Sequence, residues 1–159
     1  MKVLLAVLVS GTVTVAQAQA PSPASSRTMV SASEVAAMIA KAKAERKDQP
    51  NIAQSMIQLA PYNVSLEYRA SVGNAAVHET EAELFYVVDG SATLVTGGTL
   101  TDSTRNGANL TGKGIQGGTS RKVAKGDFIM VPEGQAHWFS AIDGTVVLMS
   151  LHLPHAPAK

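Results

Sequence analysis

A series of short runs with strand character fills residues 54–153, and turn residues separate them. The dipeptides Asp89-Gly90, Gly126-Asp127 and Asp143-Gly144 are typical of turns between strands. Short strands at regular spacing predict an all-β sandwich or barrel. The expected strands are residues 54–59, 64–70, 75–78, 83–88, 92–96, 120–124, 128–131, 137–142 and 145–153.

One amphipathic helix is expected before the strands, at about residues 32–47. Ser31 and Glu34 have the spacing of a capping box, and the apolar residues that follow recur at helical spacing. Pro50 should end the segment. We expect the apolar stripe to pack on the outside of the β-domain or on a partner subunit.

The first twenty residues are typical of a signal peptide. Lys2 precedes a short apolar stretch, and small residues then form two cleavage patterns, so the mature chain should begin near Gln19 or Pro21. The alternative is a retained membrane anchor, although the apolar stretch is short for a spanning helix. We therefore expect a periplasmic or secreted protein, whose residues 21–50 form a leader and the helix.

The charge of the chain is balanced. Thirteen basic residues, Lys2 among them, accompany twelve acidic residues. This balance gives no indication of binding to nucleic acid or to an anionic membrane. The chain has no cysteine, which excludes disulfides and a lipoprotein anchor.

Glu83 is the first candidate functional residue. In an alternating strand it shares a face with Phe85 and Val87. A carboxylate that faces a barrel interior must be paired or bound to a metal. The alternative is an exposed glutamate at the start of a strand.

Two histidines could join this carboxylate. His78 ends one expected strand, and His137 begins another just after Pro132-Glu133-Gly134. Two imidazoles and one carboxylate are a ligand set for an open divalent transition metal. The side chains expected to line the cavity around it are Ala76, Phe85, Phe139 and Tyr68. No residue is identified as catalytic.

Residues 126–141 resemble a motif of the cupin superfamily. That motif runs Gly, five residues, Pro, one residue, Gly, two residues, His, three residues, Asn. Gly126, Pro132, Gly134 and His137 match it, and Ala141 replaces the asparagine.

Residues 70–90 resemble the other cupin motif. His78 takes the place of its second histidine, Glu83 of its glutamate and Gly90 of its last glycine. Ala76 stands where the first histidine should be, and Ala70 where the first glycine should be. The resemblance covers about residues 51–153 and implies a double-stranded β-helix, the cupin jelly-roll barrel, after one N-terminal amphipathic helix.

The resemblance also implies a function class. A typical cupin site holds Fe, Mn, Ni, Co or Zn with three histidines and one glutamate, of which this chain keeps two histidines and the glutamate. The resemblance therefore implies a small-molecule ligand or substrate. The chain could be a metal-dependent enzyme of the dioxygenase, isomerase or lyase type that acts on a small organic molecule, or a metal-free module that binds a sugar or organic acid. His152, Glu81 and Gln116 are candidate replacement ligands, although we expect His152 on the outer face or near the C-terminal tail. Small cupins commonly pair, so a homodimer is expected.

Residues 97–119 form an unusual insert between two expected strands. They hold seven of the thirteen glycines and few large apolar residues. The insert is either a surface loop or a flap over the mouth of the barrel. Residues 154–159 are expected to form a short tail.

Overall fold

A computed structural model describes residues 26–155 of the chain. The predicted all-β fold with one N-terminal helix is confirmed, whereas the expected signal peptide lies outside the described residues. Helix α1 spans Ala32–Glu45, and no helix within residues 26–155 is long and apolar enough to cross a bilayer. The strands are β1 (Asn51–Leu59), β2 (Tyr62–Arg69), β3 (Ala75–His78), β4 (Glu81–Thr96), β5 (Thr99–Thr101), β6 (Thr104–Asn106), β7 (Asn109–Gly112), β8 (Gly114–Gln116), β9 (Thr119–Ala124), β10 (Phe128–Val131) and β11 (His137–Pro154).

Helix α1 begins with the predicted capping box. The Ser31 hydroxyl accepts a hydrogen bond from the Glu34 amide at 3.3 Å, and the Glu34 carboxylate accepts one from the Ser31 amide at 2.7 Å. The helix ends at Glu45, two residues before its predicted end. Its apolar stripe covers the outer face of β1, β2 and β11 through Val35, Met38, Ile39 and Ala42.

The central feature of the fold is an antiparallel ribbon formed by β4 and β11. The two strands pair along nearly their whole length, from Glu81 opposite Pro154 to Thr96 opposite His137. We predicted four shorter strands in these two regions. In the structure there are only two long strands, because their pairing continues on both sides of the expected turns at Asp89-Gly90 and Asp143-Gly144. These turns form a corner within the ribbon.

The ribbon doubles over at this corner. Phe85 lies opposite Ser150 and Phe139 lies opposite Leu94, so a straight ribbon would hold the two phenylalanines about 30 Å apart. Their ring centroids are only 5.4 Å apart. The two halves of the ribbon therefore face each other as the two walls of the barrel.

Gly90 makes the sharp corner sterically feasible. Its φ is +81°, and a Cβ at this position would lie 2.0 Å from the carbonyl oxygen of Thr145. The pairing register of β11 shifts opposite this point, between Ile142 and Val146. On both strands, the buried positions switch between odd and even residue numbers across the corner. On β4, residues 83, 85 and 87 are buried before the corner, and residues 92 and 94 after it.

The main core fills the space between the two walls. It consists of buried apolar side chains from both halves of the ribbon and from the neighbouring strands, namely Phe85, Val87, Ala92, Leu94, Val123, Val131, Phe139, Val146 and Leu148. Phe85 and Phe139 both lie in this core.

Tyr68, which was also predicted to line the cavity, does not lie with them. It packs in the second cluster, under α1, with Leu66 and Val147. Both faces of β2 are covered, by the helix on one side and by the barrel interior on the other. The hydrophobicity of the residues in β2 therefore does not indicate which of its two faces points into the barrel.

The insert at residues 97–119 is not an irregular loop. It contains β5 to β8, and β7 extends the main sheet by pairing with β3, so that Asn109 lies opposite His78. Strands β6 and β7 form a hairpin whose turn includes Gly107, with a φ of +61°. The insert thereby brings Asn109 to the edge of the candidate site.

Candidate metal centre

The structure brings His78, Glu83 and His137 together at one end of the barrel. The Nε2 atoms of His78 and His137 lie 3.3 and 3.1 Å from Oε2 of Glu83. Each residue offers a donor atom within 4.8 Å of the others. His137 begins β11 and pairs with Thr96 at the end of β4. It reaches Glu83, near the start of β4, because the ribbon doubles over.

Glu83 is an anion in a buried position. Its side chain is 4% exposed. Burial by itself would raise its pKa, but the hydrogen bonds with His137 and His78 and the electrostatic influence of the nearby His137 and His152 imidazoles outweigh it. The pKa of Glu83 therefore lies well below its usual range.

The same contacts change the basicity of His78. Its hydrogen bond to Glu83 is the main cause that raises the pKa of His78 above 6.5, and the bond to Asn109 acts in the same direction. Burial opposes this shift. In the absence of a metal, His78 therefore holds its proton more firmly than a free imidazole does.

His152 also belongs to the cluster, so our expectation that it faces outward is wrong. It lies directly opposite Glu83 in the β4–β11 register, and paired residues project from the same side of a sheet. Its Nε2 lies 3.4 Å from Oε1 of Glu83, and its ring centroid is 4.7 Å from that of His78. Glu83 is thus surrounded by three imidazoles.

Each of these imidazoles has an oxygen atom near its other nitrogen. Nδ1 of His78 lies 2.9 Å from Oδ1 of Asn109, and Nδ1 of His152 lies 3.0 Å from Oε2 of Glu81. Nδ1 of His137 lies 3.3 Å from the carbonyl oxygen of Gln135. Since these oxygens accept hydrogen bonds, they favour the proton on Nδ1 and leave Nε2 to face Glu83.

Ala76 contributes no donor atom to the cluster. It lies two residues before His78 on β3 and pairs with His137 of β11. Its strand position therefore lies beside the two histidines. Gln116, another candidate ligand, lies on β8 and pairs with Thr99.

A polar group in the barrel wall was not predicted. Glu67 and Arg69 of β2 form an ion pair whose side chains are 10% and 16% exposed. Ser150 donates a hydrogen bond to Glu67 at 3.1 Å, and the Arg69 guanidinium lies 4.8 Å from the centroid of the Phe139 ring. The alternation of charged Glu67 and Arg69 with apolar Leu66 and Tyr68 was the signal available in the sequence.

The cluster reaches solvent on one side. The side chains of His78 and His152 are 18% and 26% exposed, whereas that of His137 is 7% exposed. Surface cavities of about 480 and 320 Å³ lie nearby, one along β9 and β10 and one along the insert, but the four cluster side chains line neither. A ligand would therefore approach from the side of His78 and His152.

Comparison with known proteins identifies the fold. A family model described as cupin matches residues 43–157. No curated protein matches the sequence. Among solved structures, KdgF from Halomonas sp. is 15% identical, with a TM-score of 0.51 and coverage of 69% of this chain and 84% of that one. The structure described as FeII HppE is 12% identical, with a TM-score of 0.51 and coverage of 65% and 51%. At these identities, the similarity supports the fold alone.

Proposed function

The chain belongs to the cupin family, and from this premise we propose that it is a metal-dependent enzyme acting on a small organic molecule. His78, Glu83 and His137 would hold a divalent transition metal. One observation carries the proposal: imidazole nitrogens with their Nδ1 atoms tied to oxygens converge on a single buried carboxylate. Without a metal, these nitrogens meet the carboxylate through hydrogen bonds, and a bound cation would take the place of the protons between them.

The distances from Glu83 to the two histidines fit a metal ion. Two ligands bound about 2.1 Å from one ion lie roughly 3.0–3.4 Å apart when their angle at the ion is between about 90° and 110°. The nitrogen-to-oxygen distances from Glu83 to His78 and His137 are 3.3 and 3.1 Å. Two imidazoles and a carboxylate also suit Fe, Mn, Co, Ni or Zn better than Mg or Ca.

The surrounding residues would prepare this site for a substrate. Phe85 and Phe139 close the inner side of the cluster and exclude water there, since both rings are fully or almost fully buried. Asn109 and Gln135 hold the two imidazoles in fixed orientations. When bound, the metal would supply Lewis-acid or redox chemistry of the kind used by isomerases, lyases and dioxygenases.

Metal analysis of protein purified without an affinity tag tests this function. We expect about one equivalent of a transition metal in the wild-type protein and less than about a tenth of that in His137→Ala. His155→Ala is a matched control, because His155 pairs with Glu133 outside the cluster and is 63% exposed. Circular dichroism should show that all three proteins are folded.

A wild-type protein that takes up no transition metal, even when it is supplied in excess, would contradict the metal site. The chain would then be better described as a metal-free cupin that binds a small sugar or organic acid. Screening such compounds by thermal shift would test that second function directly.

We further propose that the protein is exported and forms a homodimer. The N-terminal segment supports export, and N-terminal sequencing of secreted material should give a start near Gln19 or Pro21. Dimerisation is supported by the edge strand β10, whose Phe128 and Met130 are 72% and 52% exposed. Light scattering that gives a monomer mass at micromolar concentration would contradict the dimer.

A further inference from the structure

The sequence leaves the metal site one ligand short, and the vacancy has a defined position. Ala76 on β3 lies on the same side of its strand as His78 and next to His137 on β11. A methyl group can donate nothing to a metal. A histidine from another strand could therefore complete the ligand set only if its Nε2 reached the same carboxylate.

His152 meets this requirement from the last strand. Its Nε2 lies 3.4 Å from Oε1 of Glu83, whereas His78 and His137 both contact Oε2. The three imidazoles thus approach the carboxylate around both of its oxygens. The cross-strand position opposite Glu83 fixes this geometry in the backbone and not only in a side-chain rotamer.

Glu81 explains why the imidazole of His152 faces the cluster. Its Oε2 lies 3.0 Å from Nδ1 of His152, on the side of the ring away from Glu83. A carboxylate in this position fixes the tautomer and increases the basicity of the opposite nitrogen. Glu81 could instead ligate a metal directly with His78 and His152, since these three also form a compact donor group.

We propose that His152 is the fourth protein ligand of the metal and replaces the histidine absent at position 76, with Glu81 as its positioning residue. This inference rests on the proposed metal site. It goes further by assigning a ligand from the last strand and a role for Glu81. The probe that we choose is Co²⁺, because its paramagnetism reports on each bound imidazole.

The test compares Co²⁺ affinity in wild type, His152→Ala, Glu81→Gln and the double variant Ala76→His/His152→Ala. We expect His152→Ala to weaken binding by about 100-fold or more, and Glu81→Gln by about 10-fold. The double variant should recover most of the loss, since residues 76 and 78 share one face of β3. His155→Ala should bind as the wild type does.

Proton NMR of the Co²⁺-loaded proteins gives a second readout. Each ligating imidazole should contribute one strongly shifted Nδ1–H resonance, so wild type should show three and His152→Ala two. A loss of affinity without loss of a resonance would show that His152 acts only through structure, and this would overturn the proposal. Equal affinity of His152→Ala and wild type would overturn it as well.

The same titrations separate this inference from the proposed function. If His137→Ala loses Co²⁺ and His152→Ala does not, the metal site stands with three protein ligands and only the fourth is wrong. If the wild type itself binds no Co²⁺, both proposals fail. If Glu81→Gln weakens binding as much as His152→Ala and keeps three shifted resonances, Glu81 is a direct ligand and not a positioning residue.

Discussion

Replacement of Gly90 by alanine should destabilise the barrel much more than the same change at Gly144. Both residues lie at the ribbon corner and have positive φ, +81° and +76°. An added Cβ at Gly90 would lie 2.0 Å from the Thr145 carbonyl oxygen, whereas at Gly144 it would meet no atom within 4 Å. The pair therefore separates steric conflict from backbone conformation.

The size of the effect follows from the contact. Ordinary contact begins near 3.4 Å, so the backbone at Thr145 would have to move by about 1.4 Å. That movement would pull on Val146, which is fully buried in the main core. A left-handed non-glycine residue costs about 1–2 kcal/mol, and overpacking adds about 1–3 kcal/mol. We expect Gly90→Ala to lose about 2–5 kcal/mol and Gly144→Ala about 1–2 kcal/mol.

Urea denaturation monitored by circular dichroism measures the difference. Both substitutions restrict the unfolded chain in the same way, so this contribution cancels between them. With a slope of about 1–3 kcal/mol per molar urea, Gly90→Ala should unfold at a midpoint lower than Gly144→Ala by about 1 M. Free energies of unfolding that agree within about 0.5 kcal/mol would refute the role assigned to the close approach at Gly90.

Two further predictions concern charge. Arg69→Met should destabilise the protein by about 3 kcal/mol in urea denaturation, because it leaves the Glu67 carboxylate buried without its partner. The double variant Glu67→Leu/Arg69→Met should have a free energy of unfolding closer to that of the wild type. An equal loss of stability in the single and double variants would contradict this explanation. Co²⁺ affinity should fall as the pH is lowered from about 8.5 to 5.5, because protons compete for the imidazoles. Since its bond to Glu83 raises the pKa of His78, the fall should begin above the pKa of about 6.5 of a free imidazole, and a flat profile in calorimetric titrations would contradict it.

Local patterns in the sequence predicted much of the fold. The alternation at Glu83, Phe85 and Val87 identified the inward face of β4, because side chains alternate strictly within an unbroken strand. The Ser31 capping box likewise depends only on neighbouring residues, and it placed the start of α1 correctly. Both features are determined by interactions within a few residues along the chain.

The position of His152 could not be predicted in this way. Simple alternation from inward-facing His137 and Phe139 places odd-numbered residues of β11 inside and His152 outside. The register shifts at the corner reverse this phase, so Ser150 and His152 face the interior. Whether such a shift occurs depends on the pairing partner, which the sequence of one strand does not reveal. Asn109 escaped prediction for a similar reason, since only its pairing with β3 brings it to His78.

The doubled ribbon has a consequence for how the protein would respond to metal during folding. Glu83 and His137 are separated by about fifty residues and meet only after the two halves of the ribbon have closed on each other. A metal held by both would bind the closed chain and not the open one, and at a hundredfold excess over its dissociation constant it would add about 2.7 kcal/mol to the free energy of unfolding. Contacts so distant in sequence form late and slowly. The bound ion should therefore mainly lower the rate of unfolding, with little effect on the rate of folding.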